Sequence, residues 1–261
     1  MKTIITLGDN CVDVYPALQK AFPGGNAVNV AVYATRYGMR PAYIGWVGSD
    51  DYGQLLRREL AVKGVDISHV HVRHGVTAQT FVTVNDNERV LGDYIEGVMA
   101  DFDLDEGDIG WIQRFDLVHA GIWGRVEQYY PRLRRSGRIL SFDFADKWDS
   151  PLWRTLPAEL DYAFASADDD TPVVRDRLKN IVCAGARTAI ATLGANGSLA
   201  FDGRQFYRHG ILPVKVVDTM GAGDAFIAGF LCAVAQEGSI DAAMRQGTES
   251  AALTIQYPGA W

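Results

Sequence analysis

The stretch Asp218-Thr219-Met220-Gly221-Ala222-Gly223-Asp224, running into the apolar segment Ala225 to Val234, has residue types suited to chemistry. Glycines in the first turn of a helix each cost about 1 kcal/mol relative to alanine. What they permit is close approach of a ligand to the backbone. The first N–H groups of a helix have no internal partner and sit at the positive end of its dipole, so such a turn can hold an anion. Asp224 adds a proton acceptor beside that cradle, and the pair suits phosphoryl transfer to an alcohol. An ordinary Asp titrates near about 3.9, and a helix N-terminus favours its ionised form. Asp224 is therefore expected to accept a proton late, after the phosphoryl group has begun to leave its donor. The same residues also fit a tight helix entry without a ligand.

Other segments bring Gly, Asp or Asn to the ends of strand-like runs, where open α/β sheets bind ligands. Gly8-Asp9-Asn10-Cys11-Val12-Asp13 carries two short carboxylates that suit either sugar hydroxyls or Asx turns. Gly24-Gly25-Asn26-Ala27-Val28-Asn29 opens a helix, with Asn26 as a capping-type residue and Asn29 turned to the same edge. Thr192-Leu193-Gly194-Ala195-Asn196-Gly197 can form an anion nest or a plain hairpin entry. Val47-Gly48-Ser49-Asp50-Asp51-Tyr52-Gly53 reads as a structural turn and helix cap. His69, His71 and His74 are spaced suggestively for a metal, but no carboxylate stands locally beside them. There is no Gly-Lys dipeptide for a Walker A loop, no Gly-x-Gly-x-x-Gly after a strand and no Gly-x-Ser-x-Gly elbow.

The elements that must position these residues alternate. Strands are expected at Thr3–Leu7 and Ala42–Val47, with helices at Asn26–Tyr37 and Asp51–Lys63 closed by Gly38 and Gly64. Thr80–Val84 and Arg89–Tyr94 read as a hairpin around Asn85-Asp86-Asn87, a candidate lid or an edge hairpin. Short apolar strands follow at Leu117–Ala120, Ile139–Phe144, Tyr162–Ala165 and Thr188–Thr192, with a helix at Thr171–Ala184. A second hairpin is expected at Ser198–Tyr207, a last strand at Val214–Val217 and a last helix at Ser239–Gln256. This is an α/β chain with a mostly parallel sheet.

The 261 residues are 48% hydrophobic and 22% charged, enough for one large core, and the net charge is −7 with no basic block. Nucleic-acid and membrane partners have little support from that charge. No run approaches the roughly 20 apolar residues of a membrane span, and the start is too short an apolar run for a signal peptide. Cys11, Cys183 and Cys232 are scattered, which points to a reducing cytoplasm.

Taken in order, Gly24-Gly25-Asn26 with Asn29, Val47 to Gly53, Thr192 to Gly197 and Asp218 to Asp224 resemble the motifs of the ribokinase-like (phosphofructokinase-B type) carbohydrate kinases over nearly the whole chain. Within that family the likeness is to members acting on fructosamines. It rests on Gly8 to Asp13, Gly75-Val76-Thr77-Ala78-Gln79-Thr80, Phe142 to Asp149 and Tyr257-Pro258-Gly259-Ala260-Trp261. The resemblance implies one domain over 1–261, a central sheet flanked by helices, and a small β lid from early segments including about 75–97. It implies ATP as donor with Mg2+, in some members a monovalent cation such as K+, and often a homodimer through the lid. The acceptor implied is the C6 hydroxyl of fructoselysine; another fructosamine, a simple sugar or a nucleoside, or a silent sugar- or nucleotide-binding regulator, are the alternatives. By matching positions, Asp224 is the base, and Gly221, Ala222 and Gly223 the anion hole. Asp13, Gly25 and Asn29 face the sugar, while Arg89 and Tyr94 on the hairpin are placed for the substrate's tail. Thr192, Gly194, Gly197 and Asp218 face the nucleotide. The family's Asn-x-x-Glu for magnesium is replaced by Ser166-Ala167-Asp168-Asp169, which leaves Asp169 as the metal candidate.

Overall fold

Short apolar runs are built for burial on both faces, and here they obtain it. The computed structural model describes residues 1–85 and 88–261, with side chains described for all of these except 84, 85 and 88–91. A nine-stranded sheet is built from β1 (Thr3–Leu7), β4 (Arg40–Gly48), β5 (Val70–Arg73), β8 (Leu117–Gly121), β9 (Ile139–Asp143), β10 (Tyr162–Ser166), β11 (Thr188–Thr192), β12 (Ser198–Phe201) and β13 (Phe206–His209). Its order is β13-β12-β11-β10-β9-β8-β1-β4-β5, parallel except that β12 pairs antiparallel with both β11 and β13 at one edge. Alternation in β1 sends Ile4 to one face and Ile5 and Leu7 to the other. The first face is covered by α1 (Asn26–Ala34), α6 (Ala222–Ala235) and α7 (Ile240–Thr254). On the opposite face lie α3 (Glu106–Ile112), α4 (Tyr130–Arg134) and α5 (Pro172–Cys183), while α2 (Asp51–Val62) packs on a third apolar cluster with α1 and β4.

A second sheet has the order β3-β2-β6-β7, from β2 (Cys11–Tyr15), β3 (Lys20–Gly24), β6 (Gln79–Asn85) and β7 (Glu88–Ile95). The expected hairpin is its second half; Asp86 and Asn87 of the turn lie outside the described residues. β2 and β3 were not among the expected strands; Pro16 follows the first and Pro23 lies within the second, at the sheet's edge.

The expected strand at Val214–Val217 does not form. Pro213 lacks a donor for a ladder at its start. Val216 and Val217 are exposed, and the Val217 N–H instead donates to the Ile255 carbonyl at 2.8 Å, tying the segment to the end of α7.

α6 is apolar on every side because the sheet, α1 and α7 all cover it. Its contact with α7 is close enough to need glycine: a Cβ on Gly229 would stand 2.7 Å from the Gln246 carbonyl oxygen and 2.9 Å from Ser250 Cβ. Gly229→Val is expected to lower stability by about 2 kcal/mol or more through overpacking, read as a fall in denaturant midpoint. An unchanged midpoint would mean that the α6–α7 contact is not as tight as described.

Candidate active site

The N-terminus of α6 sits at the carboxyl edge of the large sheet, and its shape is set by Gly221. That residue has φ +72°, and a Cβ on it would run into the Tyr33 hydroxyl, which donates to the Ala260 carbonyl. The first intrahelical bond is Ala225 N–H to Gly221 carbonyl at 2.8 Å, so the N–H groups of Gly223 and Asp224 precede the ladder. The Ala222 N–H donates to the Thr219 carbonyl at 3.2 Å. Of the expected anion hole, Gly223 faces open space: a Cβ there would meet nothing within 4 Å. Asp218 braces this turn, accepting from Met220 N–H at 3.0 Å and from Gly259 N–H at 2.7 Å.

Asp224 is held by two amides from the start of α1. Asn29 Nδ2 donates to its Oδ2 at 2.7 Å, and Asn26 Nδ2 to its Oδ1 at 2.8 Å. Asn26 was expected as a cap; it is the first residue of the helix, and its backbone N–H is satisfied by Asp9 Oδ2 at 2.6 Å. Its side chain also donates to Asp143 Oδ2 at 2.9 Å. With both carboxylates on its nitrogen, the Asn26 amide oxygen faces His119 Nε2 at 3.2 Å, so that nitrogen carries the proton. His119 Nδ1 then accepts from the Ser141 hydroxyl at 2.9 Å. Burial pushes this histidine down to about 3, so it stays neutral and fixes the amide's orientation. On the other side Trp261 Nε1 donates to Asn29 Oδ1 at 2.7 Å, which turns the Asn29 nitrogen onto Asp224.

Asp9, Asp143 and Asp224 meet at one cavity of about 330 Å³. Each keeps some solvent contact there, but the surrounding protein strips most of its hydration. Burial is the largest cause of the upward shifts, to about 6 for Asp9 and Asp143 and about 7 for Asp224. The Asn29 amide pulls Asp224 down, and the negative charge of Asp143 pushes it up. The expectation of an ordinary Asp224 carboxyl is thus corrected: desolvation outweighs the helix dipole and raises it well above the usual carboxylate range.

The remaining expected residues are distributed as follows. Gly25 is the N-cap of α1 with φ +103°, and a Cβ there would stand 2.7 Å from Asn10 Cα. Asp13 lies in β2, close enough to raise the Asp9 pKa. Tyr94 in β7 is exposed, and its hydroxyl is raised to about 12 by desolvation and then by Asp9 and Cys11. The Arg89 side chain lies outside the described residues. Thr192 ends β11 with its hydroxyl 3.2 Å from that of Ser166, a cavity residue. Gly194 opens to free space, whereas Gly197, at φ +87°, packs against the His209 carbonyl. Asp169 is exposed and accepts from the Asp170 N–H at 2.7 Å. Val47 to Gly53 is a turn and cap, as expected: Asp50 accepts from Gly53 N–H at 3.0 Å. Sequence reasoning missed Asn26 as a ligand of carboxylates, along with His119, Asp143 and Trp261. For Asp143 the signal was its place at the end of a strand, as for Asp9 after β1.

A family model described as pfkB family carbohydrate kinase matches residues 5–123 and 157–261. Fructoselysine 6-kinase of Escherichia coli (strain K12) is 60% identical over 261 residues, covering 100% of this chain and 100% of the relative. Fructosamine kinase FrlD of Bacillus subtilis (strain 168) is 34% identical over 268 residues, covering 99% of this chain and 92% of the relative. The structure of Arabidopsis thaliana ribokinase complexed with ribose and ATP aligns with a TM-score of 0.88 at 19% identity, covering 99% of this chain and 93% of that one.

Replacing Asn29 by Ala removes the 2.7 Å donor to Asp224, a loss of roughly 1.5–3 kcal/mol where the acceptor is charged. The loss is felt only when Asp224 is ionised, so its pKa climbs further above the unfolded value. A carboxyl with a raised folded pKa loses folding stability as pH rises through that pKa. Thermal melts should therefore show a larger penalty for Asn29→Ala at about pH 8 than at about pH 6. Equal penalties would mean that Asp224 does not titrate in this window.

Proposed function

This chain belongs to the pfkB family of carbohydrate kinases, and from that premise we propose that it transfers the terminal phosphoryl group of ATP to the C6 hydroxyl of fructoselysine, giving fructoselysine 6-phosphate and ADP. The full-length likeness to a fructoselysine 6-kinase carries the choice of acceptor. The cavity geometry supports the chemistry.

In this reading the C6 oxygen forms a bond to the γ-phosphorus as the bond from that phosphorus to the β–γ bridging oxygen breaks. The hydroxyl proton passes to a carboxylate oxygen of Asp224, which Asn26 and Asn29 hold in place. A base raised to about 7 is still ionised in about half of the molecules at neutral pH and takes the proton readily. The free backbone N–H groups at Gly223 and the helix entry receive negative charge on the transferring group. Much of the acceleration is then positioning of reactants in line.

The site's charge suits a cation. Three desolvated carboxylates face the cavity, and no Lys or Arg is among its described lining residues. A bare polyphosphate would be repelled, whereas oxygen donors of this kind fit Mg2+. Asp143 and Ser166 on the wall, with Asp169 on the loop beyond acting through water, are the residues to hold it. When bound, magnesium supplies charge neutralisation across the phosphate oxygens. Thr192, Gly194 and Gly197 at the end of β11 serve the nucleotide. The small sheet acts as a lid that carries Asp13 and Tyr94 toward the sugar and its tail. Its other face, which carries the exposed Ile95, is the one offered to a second copy.

The tail of fructoselysine is remote from C6, so its binding energy should order the lid and orient the hydroxyl. Fructose, which lacks it, is expected to have a kcat/KM lower by ~10²-fold or more, from two or three lost polar contacts at roughly 1–1.5 kcal/mol each. Steady-state kinetics with both acceptors at saturating ATP and magnesium make the comparison. Equal efficiency on fructose, or a preference for ribose or a nucleoside, would contradict the acceptor.

A further inference from the structure

His69 and His71 stand two residues apart at the start of β5, and a strand sends such residues to one face. The carboxylate missing beside them in sequence arrives from α3. Asp108 Oδ1 lies 3.0 Å from His69 Nδ1 and 3.0 Å from His71 Nε2. The three ligand atoms all fall within 4.8 Å of one another. The other carboxylate oxygen, Oδ2, faces the Asp105 N–H in the capping box that starts α3, which fixes the side chain. His69 is held flat against Trp111, with ring centroids 3.9 Å apart, and the two imidazoles are perpendicular at 87°. Asp108 is only 3% exposed, while the histidines are 30% and 31% exposed, so the set is preformed on the inside and open on one side.

We propose that His69, His71 and Asp108 form a binding site for a divalent transition-metal ion of the zinc class, linking edge strand β5 to helix α3. Two imidazoles and one carboxylate favour Zn2+, Co2+ or Ni2+ over Mg2+, which prefers oxygen donors. Bonds of about 2.0–2.2 Å to a tetrahedral ion set its donors about 3.3 Å apart. The two pairs at 3.0 Å need a few tenths of an ångström of opening, and the two histidine nitrogens, within 4.8 Å of each other, close by up to about 1.5 Å through rotation of their partly exposed rings. On binding, each neutral imidazole presents a lone pair to the ion and carries its proton on its other ring nitrogen, so no redox or group-transfer step is involved. The exposed side leaves a position for water. None of the three residues lines the cavity around Asp224, so this ion is distinct from the magnesium proposed there. β5 leads through Gly75 to Thr77, whose side chain and N–H bind Asp50, into β6 of the small sheet. The ion therefore fastens the strand from which the β6–β7 half of that sheet departs.

The test uses the full-length protein, stripped with a chelator and free of nucleotide. About 100 µM Zn2+ is expected to raise Tm by about 3 °C or more, with Mg2+ at the same concentration giving no such rise. Co2+ is expected to develop the visible absorption of a four- or five-coordinate ion. His71→Gln leaves the α3 capping box intact and should remove both signals while keeping basal sugar-kinase turnover within about twofold. His69→Ala should do the same, which guards against one variant misfolding. A Zn2+ shift and Co2+ spectrum of equal size in wild type and His71→Gln would place the metal elsewhere and overturn the proposal. No shift and no spectrum in the wild type would overturn it as well.

Discussion

The rest of the structure depends on keeping three carboxylates, Asp9, Asp143 and Asp224, around one small cavity. Burial strips these groups of hydration and their like charges repel, so all three are raised, burial being the larger cause. Asn26 is what makes the arrangement tenable: its amide nitrogen bridges Asp143 and Asp224, while its backbone N–H is taken by Asp9. One residue thus satisfies part of each carboxylate from the first turn of α1.

That requirement reaches outward through the fold. Asn26 is oriented by neutral His119 and Ser141, on the adjacent parallel strands β8 and β9. Asn29 is oriented by the indole of Trp261, and the same segment, 257–261, braces Asp218 through Gly259 and Tyr33 through Ala260. Gly221 has to be glycine because Tyr33 fills the space its side chain would need. The helix entry, the first helix and the end of the chain therefore form one support for Asp224. What this support holds at a fixed place is a desolvated carboxyl, raised to about 7, at the entry of α6.

Much of this was legible in the sequence, and what was not has a common cause. The βα alternation and the helix entry at Gly221 to Asp224 are local patterns, and both are where expected. Asn26 was read as a cap because an Asn at a helix start has a sufficient local explanation; its partners are 117 and 198 residues away. His119 and Ser141 sit inside short buried strands, where nothing nearby marks them as polar relays. Asp108 was hidden from His69 and His71 by the same kind of separation, 39 and 37 residues. The pKa of Asp224 was misjudged because a helix dipole can be read from sequence, whereas desolvation by a converging fold cannot. At Val214–Val217 the apolar pattern was real, but Pro213 and the end of α7 decided the backbone's partners.

In the mechanism proposed above, Asp224 serves the transition state as base while the backbone turn holds the phosphates. The most direct test is turnover of Asp224→Asn beside its nucleotide affinity, since the substitution preserves shape and removes the proton acceptor. The account predicts a fall in kcat of at least ~10²-fold, with the Kd for nucleotide changed by no more than about threefold. Near-normal turnover in this variant, with nucleotide still bound, would contradict it.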